Sequence, residues 1–297
     1  MNVASHSSLR GKLLLDEPMA KHTSWRLGGP ADRYYQPADL ADLQQYLAGL
    51  EDDSTPLWVG LGSNLLVRDG GIRGDVIATL NALKALHCNE DGSVYAEAGV
   101  SCAKLAKFCQ KQGLAGADFF AGIPGTVGGA LAMNAGAFGG ETWQWVESLQ
   151  MMDKRGRLEE RNASEFEVGY RHVDMPSQQW FAAAKFRFTP ASAEAPSNIR
   201  QLLQKRNASQ PIGEPSCGSV FTNPPGEHAA QLIEAAGLKG FCLGNACVSQ
   251  KHANFIISNN ATSAAEVEAL IEHLQQQVEQ QFGIRLQTEV RIVGQAL

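Results

Sequence analysis

Residues 122–140, Gly-Ile-Pro-Gly-Thr-Val-Gly-Gly-Ala-Leu-Ala-Met-Asn-Ala-Gly-Ala-Phe-Gly-Gly, constrain this chain more than any other stretch. They hold seven glycines and four alanines and carry no charge. A segment built this way presents bare backbone N–H groups that can sit against a phosphate. Side chains would block that approach, and positive φ would be costly without Gly. Pro124 fixes one bend, and Asn134 supplies the only side-chain amide. A single Gly pair reads as a packed turn; the whole stretch reads as a ligand cradle. Its candidate contacts are Gly122, Pro124, Gly125 and Thr126, then Gly128 and Gly129, then Asn134, Ala135 and Gly136.

A second glycine turn, Gly60-Leu61-Gly62-Ser63-Asn64, follows the apolar run Leu57-Trp58-Val59 and precedes Leu65-Leu66-Val67. It reads as strand, phosphate-facing turn, strand. Gly60, Gly62 and Leu65 would offer backbone, and Ser63 and Asn64 would add hydroxyl and amide donors. Taken alone, the turn is better read as a plain hairpin. Two such loops in one chain point to a single ligand with a long phosphate-bearing body. The common nucleotide signatures are absent. Gly60-Leu61-Gly62 lacks the third Gly of G-x-G-x-x-G, and the one Gly-Lys pair, Gly11-Lys12, runs into leucines instead of completing a P-loop.

At 297 residues the chain suits two or three domains. Hydrophobic content of 44% and charged content of 19% are ordinary for a soluble protein. The net charge is −6 and no Lys/Arg-rich run occurs, which disfavours a nucleic-acid surface. No apolar stretch approaches the roughly 20 residues that a spanning helix needs. Met1–Arg10 is polar and lacks a signal-peptide core, so the expected place is the cytoplasm. None of the six cysteines forms C-x-x-C, and H-E-x-x-H is missing; reduced thiols and no metal are expected.

Asp39 caps a predicted helix over 40–49, with Leu40, Leu43, Leu47 and Leu50 on one stripe. Strands are predicted at 57–61, 75–80 and 93–98, and a helix at 101–112 opened by Ser101. Cys102 and Cys109 share a face of that helix and read as core. Strands at 146–153 and 157–161 flank the turn Lys154-Arg155-Gly156, and 180–188 reads as another strand. The small, proline-bearing run 189–198 reads as a linker. Helices follow at 199–207 and 227–236. The longest spans 264–282, with Ser263 and Glu266 at capping-box spacing and Gly283 as its stop. The tail 288–293 returns as a strand. The fold class is α+β.

Several stretches, in order and spanning nearly the whole chain, resemble the UDP-N-acetylenolpyruvoylglucosamine reductase family. They are Thr23-Ser24-Trp25-Arg26-Leu27-Gly28-Gly29-Pro30-Ala31, Gly62 to Val67, Gly122 to Gly140, Gly169-Tyr170-Arg171, Gly218-Ser219-Val220-Phe221-Thr222-Asn223-Pro224, Lys251-His252-Ala253-Asn254-Phe255 and Glu289-Val290-Arg291. The resemblance implies a two-lobed FAD-binding fold of the vanillyl-alcohol-oxidase (PCMH) type plus a C-terminal substrate-binding α+β domain. It divides the chain into 1–80, joined by the returning strand 286–297, then 81–190, then 199–285. Only about ten residues separate the strand ending at Phe188 from the next helix, so the chain resembles the short form of the family, without the tyrosine-bearing lid loop. Val173 and Cys217 stand where relatives more often carry Ser and Ala.

The implied chemistry uses non-covalent FAD and NADPH as hydride donor. NADPH reduces the flavin, and the enolpyruvyl ether of a UDP-sugar then takes the hydride. Charge builds on the adjacent carbon and its carboxylate, so it must be stabilised and protonated. The resemblance assigns this work to Arg171 as the bidentate grip on the carboxylate, Ser219 as proton donor, and Glu289 as a protonated or proton-sharing carboxyl. Tyr170, Asn223, Lys251 and Asn254 are the candidate contacts to the UDP-sugar, with Lys205 and Arg206 behind them. Each has a plainer reading on its own: surface ion pair for Arg171, turn residues for Ser219 and Asn223, a water-facing strand residue for Glu289, a solvated cation for Lys251. The implied partners are the UDP-sugar and NADPH, with no nucleic acid, no membrane and a monomeric chain. The competing readings are another FAD oxidoreductase or oxidase of the same cofactor fold, and a non-catalytic flavin or nucleotide-sugar binder.

Overall fold

The computed structural model describes residues 9–192 and 198–297. Half of the predicted linker, residues 193–197, and most of the polar N-terminal run, residues 1–8, lie outside the described residues. Two compact units emerge. The first takes the described residues of Met1–Leu15, Arg33–Leu61 and Gly74–Leu203; the second takes Asp16–Asp32, Gly62–Arg73 and Gln204–Leu297.

The first unit is organised by a five-stranded antiparallel sheet, in the order Leu158–Asn162, Val146–Asp153, Gln179–Phe186, Val94–Glu97, Leu86–Cys88. Alternation sends successive side chains of a strand to opposite faces. Leu149 and Met151 join one apolar cluster and Met152 the other. Helix α1 (Leu40–Ala48) supplies Leu43, Tyr46 and Leu47 to the second cluster, and the Asp39 carboxylate caps it by accepting from Asp42 N. Helix α2 (Cys102–Lys111) covers the first cluster with Cys102, Leu105, Ala106 and Cys109, and Ser101 Oγ accepts from Lys104 N as its cap. Both cysteines are core, and burial pushes each thiol up to about 12.

The glycine stretch departs from the expected open loop. Its middle is helix α3 (Val127–Ala132), opened by Thr126, and its end is a hairpin pairing Gly136–Ala137 with Gly140–Glu141. The second glycine turn is not a hairpin either. Leu57–Val59 pairs in parallel with Val76–Ala78, whereas Leu65–Val67 pairs in parallel with the returning strand Arg291–Val293.

In the second unit, helices α4 (Ile199–Ser209, shared with the first unit at its start) and α5 (Ala229–Ala235) precede a three-stranded sheet of Cys242–Leu243, Ala246–Val248 and Ile256–Ile257. Helix α6 (Ala264–Phe282) packs Val267, Leu270, Ile271, Leu274 and Val278 into one cluster with Trp25, Val220, Phe221 and Val290. Its capping box is formed as the spacing predicts, the Asp69 carboxylate accepts from Ala264 N and Ala265 N at 2.9 Å each, and Gly283 ends it at φ 70°. The expectation of reduced cysteines fails at one place: Cys242 and Cys247 form a disulfide. They are direct partners across an antiparallel pair, a register that a spacing of five does not announce.

Candidate active site

In the first unit the two glycine runs meet. A Cβ on Gly60 would run into the Thr126 hydroxyl, so only Gly lets this turn approach the opening of α3. The amides of the stretch are less bare than its composition suggests. Gly125 N donates to Ile123 O at 2.9 Å, Val127 N to Val100 O at 2.8 Å, Gly128 N to Ala98 O at 2.9 Å and Gly129 N to Thr126 Oγ1 at 3.5 Å. Gly128 is a packing glycine, because a Cβ there would lie 2.8 Å from that of Ala98. Gly122 likewise lies under the Phe138 ring. Gly129 is different: a Cβ there would find only Thr126 Oγ1, at 3.7 Å, so packing does not require glycine at this position. Pro124 precedes the cap, and Ala135, buried, is fixed by its N–H donating to Ala130 O at 2.9 Å.

Tyr170 and Arg171 form the tip of a two-residue hairpin between Gly169 and His172. Tyr170 is exposed, and the Arg171 guanidinium carbon lies 5.0 Å from its ring centroid. The Arg171 side chain is only 16% exposed. Its Nη1 donates to Asn134 O at 3.2 Å and its Nη2 to Gly136 O at 3.1 Å, while Glu141 Oε1 lies 3.9 Å from Nη1. Arg171 is therefore not a surface ion-pair residue. The position where relatives more often carry Ser, Val173, is buried in the core. Asn134 is 3% exposed, and its amide bonds to Glu141, Gly169 and Trp143. Sequence reasoning missed Glu141, which shows no signal beyond its place two residues after the last tip glycine.

In the second unit the turn at Gly62 abuts the segment His22–Ser24. Gly62 has φ 65°, a Cβ would strike the His22 carbonyl, and Gly62 O accepts from Ser24 N at 3.0 Å. Ser63 lies in this turn, half-buried. Asn64 Nδ2 donates to Glu289 O at 3.0 Å, and Arg291 N donates to Asn64 O at 3.1 Å, so the turn leading into Leu65–Val67 is tied to the returning strand. Glu289 N in turn donates to Val220 O at 2.8 Å, and Phe221 bridges Thr288. Ser219 and Glu289 thus lie on neighbouring chain segments, both half-buried.

Asn254 holds this arrangement from beneath. It is 4% exposed, its Oδ1 accepts from Phe221 N at 3.0 Å, its Nδ2 donates to Phe221 O at 2.8 Å, and its own carbonyl accepts from Val220 N at 2.9 Å. The amide expected to meet a UDP-sugar is committed to the backbone beside Ser219. Asn254→Ala strands a buried N–H and a buried C=O, so a loss of about 1–3 kcal/mol is expected, read as a lower urea midpoint at unchanged slope. Asn223 Oδ1 accepts from Ala229 N at 3.1 Å, near the start of α5. Lys251 is exposed, with Nζ donating to Asn207 O at 2.5 Å. Lys205 is exposed; Arg206 is half-buried, and burial holds its pKa below the ordinary value. Cys217 is 3% exposed, its Sγ donates to Leu65 O at 3.4 Å, and burial pushes the thiol up to about 12, which leaves it unreactive near neutrality.

Residues 31–161 match an FAD binding domain family, and residues 210–293 match the C-terminal domain of UDP-N-acetylenolpyruvoylglucosamine reductase. A reductase of that name from Alkalilimnicola ehrlichii is 56% identical, over 96% of this chain and 96% of the relative. The chain belongs to the UDP-N-acetylenolpyruvoylglucosamine reductase family. A reductase of the same name from Methylococcus capsulatus is 54% identical, over 97% of this chain and 95% of its own. The crystal structure of the Thermus caldophilus UDP-N-acetylenolpyruvylglucosamine reductase superposes with a TM-score of 0.80 at 28% identity, covering 96% of this chain and 99% of that one. Family membership makes the chain a flavin-dependent oxidoreductase with FAD as cofactor. Among the described residues no helix is long and apolar enough to cross a membrane. No group of three or more His, Cys, Asp or Glu among them could hold a metal.

Proposed function

We propose that this chain uses NADPH to reduce the enolpyruvyl ether of UDP-N-acetylglucosamine to UDP-N-acetylmuramate, a step in making peptidoglycan precursors and hence in cell-wall growth and division. The observation that carries the reading is the hydrogen-bonded series Asn64–Glu289–Val220–Asn254, which sets Ser219 beside Glu289 and fastens both to the second glycine turn. FAD, when bound, supplies the hydride chemistry. In the first unit, the glycine turn at Gly60 and the open face of Gly129 would take its phosphates.

The protein's own residues bind, polarise and protonate. Arg171 grips the substrate carboxylate through its planar guanidinium and stabilises the charge that builds beside it. Ser219 Oγ delivers the proton. Glu289, on the neighbouring segment, supports that transfer. Tyr170 and Lys251, exposed in their respective units, contact the UDP-sugar. The division into 1–80 with 286–297, 81–190 and 199–285 is proposed on the same footing, as are a cytoplasmic location, a monomeric state and the absence of nucleic-acid partners.

Anaerobic stopped-flow at about 450 nm, where flavins of this type absorb, tests the reading. NADPH should bleach the holoenzyme, and the enolpyruvyl substrate should restore the band. Bleaching that only oxygen reverses would mark an oxidase instead.

A further inference from the structure

We infer that Asn134, which the sequence offers as a cofactor donor, is the positioning residue for Arg171. The inference rests on the reading of Arg171 as the carboxylate grip.

Asn134, Phe138 and Arg171 are non-glycine residues in the left-handed region, at φ 45°, 55° and 55°. That conformation costs about 1–2 kcal/mol for an ordinary residue and is easiest for Asn. Such strain persists only where surrounding bonds over-determine it, and it gathers at functional sites. At Arg171 those bonds trace to Asn134. Its carbonyl accepts from the guanidinium at 3.2 Å. Its amide Nδ2 donates to Gly169 O at 3.1 Å, two residues before Arg171, and so pins the base of the hairpin whose tip bears it.

The rest of the Asn134 amide is spoken for. Nδ2 also donates to Glu141 Oε2 at 3.0 Å, and Oδ1 accepts from Trp143 N at 3.1 Å. An amide has two N–H donors, and both are used, so neither is left for a phosphate. The opposite orientation would set Oδ1 against the Glu141 carboxylate and the Gly169 carbonyl and set Nδ2 against the Trp143 N–H. The network therefore fixes which end is which. Glu141 serves Arg171 as well, 3.9 Å from Nη1. No other side chain does all of this. Asp would bring a second carboxylate to Glu141, Ser would not span the three segments, and Ala would strain the backbone.

The test is a mutant cycle on the FAD-loaded enzyme, with both half-reactions followed by stopped flow. Asn134→Gly keeps the left-handed backbone accessible. Asn134→Asp keeps the shape and guards against misfolding of the first. Each should slow substrate-driven reoxidation on the order of 100-fold, as a small misplacement of a positioning group does, while FAD content and reduction by NADPH stay within about two-fold. In an Arg171→Ala background, Asn134→Gly should add less than about two-fold, because its route to the reaction is already gone.

A full-sized loss that persists without Arg171 overturns the inference. So does loss of FAD with normal reoxidation of the molecules that retain it, which would make Asn134 a cofactor ligand. An Arg171→Ala single variant that reoxidises at the wild-type rate removes the assigned role of Arg171, and the inference with it. That failure shows in the single variant alone, whereas the failures particular to Asn134 leave Arg171→Ala slow.

Discussion

Ser219→Ala should leave flavin reduction by NADPH intact and slow reoxidation by the enolpyruvyl substrate by several orders of magnitude. That lies at or beyond the upper end of the about 10²–10⁴-fold that a positioned proton donor typically contributes. The selectivity follows from where the scaffold's bonds run. Val220 N donates to Asn254 O, both backbone groups of Phe221 bond to the Asn254 amide, and Val220 O accepts from Glu289 N. These contacts use backbone next to Ser219 and leave its Oγ out, so the substitution removes the proposed proton donor without loosening this segment. The hydride donated by NADPH needs no proton from this hydroxyl. Single-turnover traces of each half-reaction separate the two steps. Equal damage to both would mean that Ser219 acts on cofactor binding or on the fold, and the proton would have to come from elsewhere.

Legibility in the sequence tracked how local the governing interactions are. Helix α6 is fully written in its own residues: Ser263 and Glu266 at capping distance, an apolar stripe, and Gly283 to end it in the left-handed region. Helix α3 is not. Its glycines oppose a helix by about 1 kcal/mol each, and what overrides them is packing, with Gly128 seated on Ala98 and the Val127 amide bonded to Val100. The returning strand shows the same limit. A strand over 288–293 is readable from its apolar alternation, but only Arg291–Val293 finds a ladder, on Leu65–Val67. The catalytic candidates were legible through family resemblance, since taken singly each has a plainer reading. The two asparagines look like ligand donors because their partners are distant in sequence. Asn134 bonds to Gly169, 35 residues on, and Asn254 to Phe221, 33 residues back. No local spacing announces such bonds, and Glu141 stayed hidden for the same reason.

The largest stability effect is expected at Asp75, away from the candidate catalytic residues. Its side chain is fully buried and takes four hydrogen bonds: Arg33 Nε at 2.8 Å and Nη2 at 2.7 Å, Tyr46 OH at 2.6 Å and Ser54 Oγ at 3.2 Å. Tyr46 stacks on Tyr35 at 3.8 Å, and Tyr35 OH donates to Asp42, which also accepts from Arg10 N and Ala38 N. Two buried carboxylates thereby fasten α1 to Arg33 and Tyr35, which lie in the strand before it (Pro30–Gln36). Asp75→Ala should cost about 3–5 kcal/mol, because it leaves two hydroxyls and part of a guanidinium without their partner. The Arg33 side chain is 46% exposed and can re-solvate, which places the value toward the lower end. Asp75→Asn keeps the shape and should cost less.

The pH dependence has a definite sign. Burial alone would raise the Asp75 pKa, but the Arg33, Tyr46 and Ser54 hydrogen bonds outweigh it and hold the carboxyl below its ordinary value. A group depressed in the folded state contributes stability above its unfolded pKa of about 3.9 and loses it as pH falls through the folded value. The gap in urea midpoint between wild type and Asp75→Asn should therefore be full at neutral pH and narrow only below about pH 4, as the wild-type carboxylate takes up its proton. A gap that shrinks as pH rises from 5 to 7 would instead assign Asp75 a raised pKa and make burial the dominant influence. A gap that stays near zero throughout would show that the network contributes geometry and no net stability.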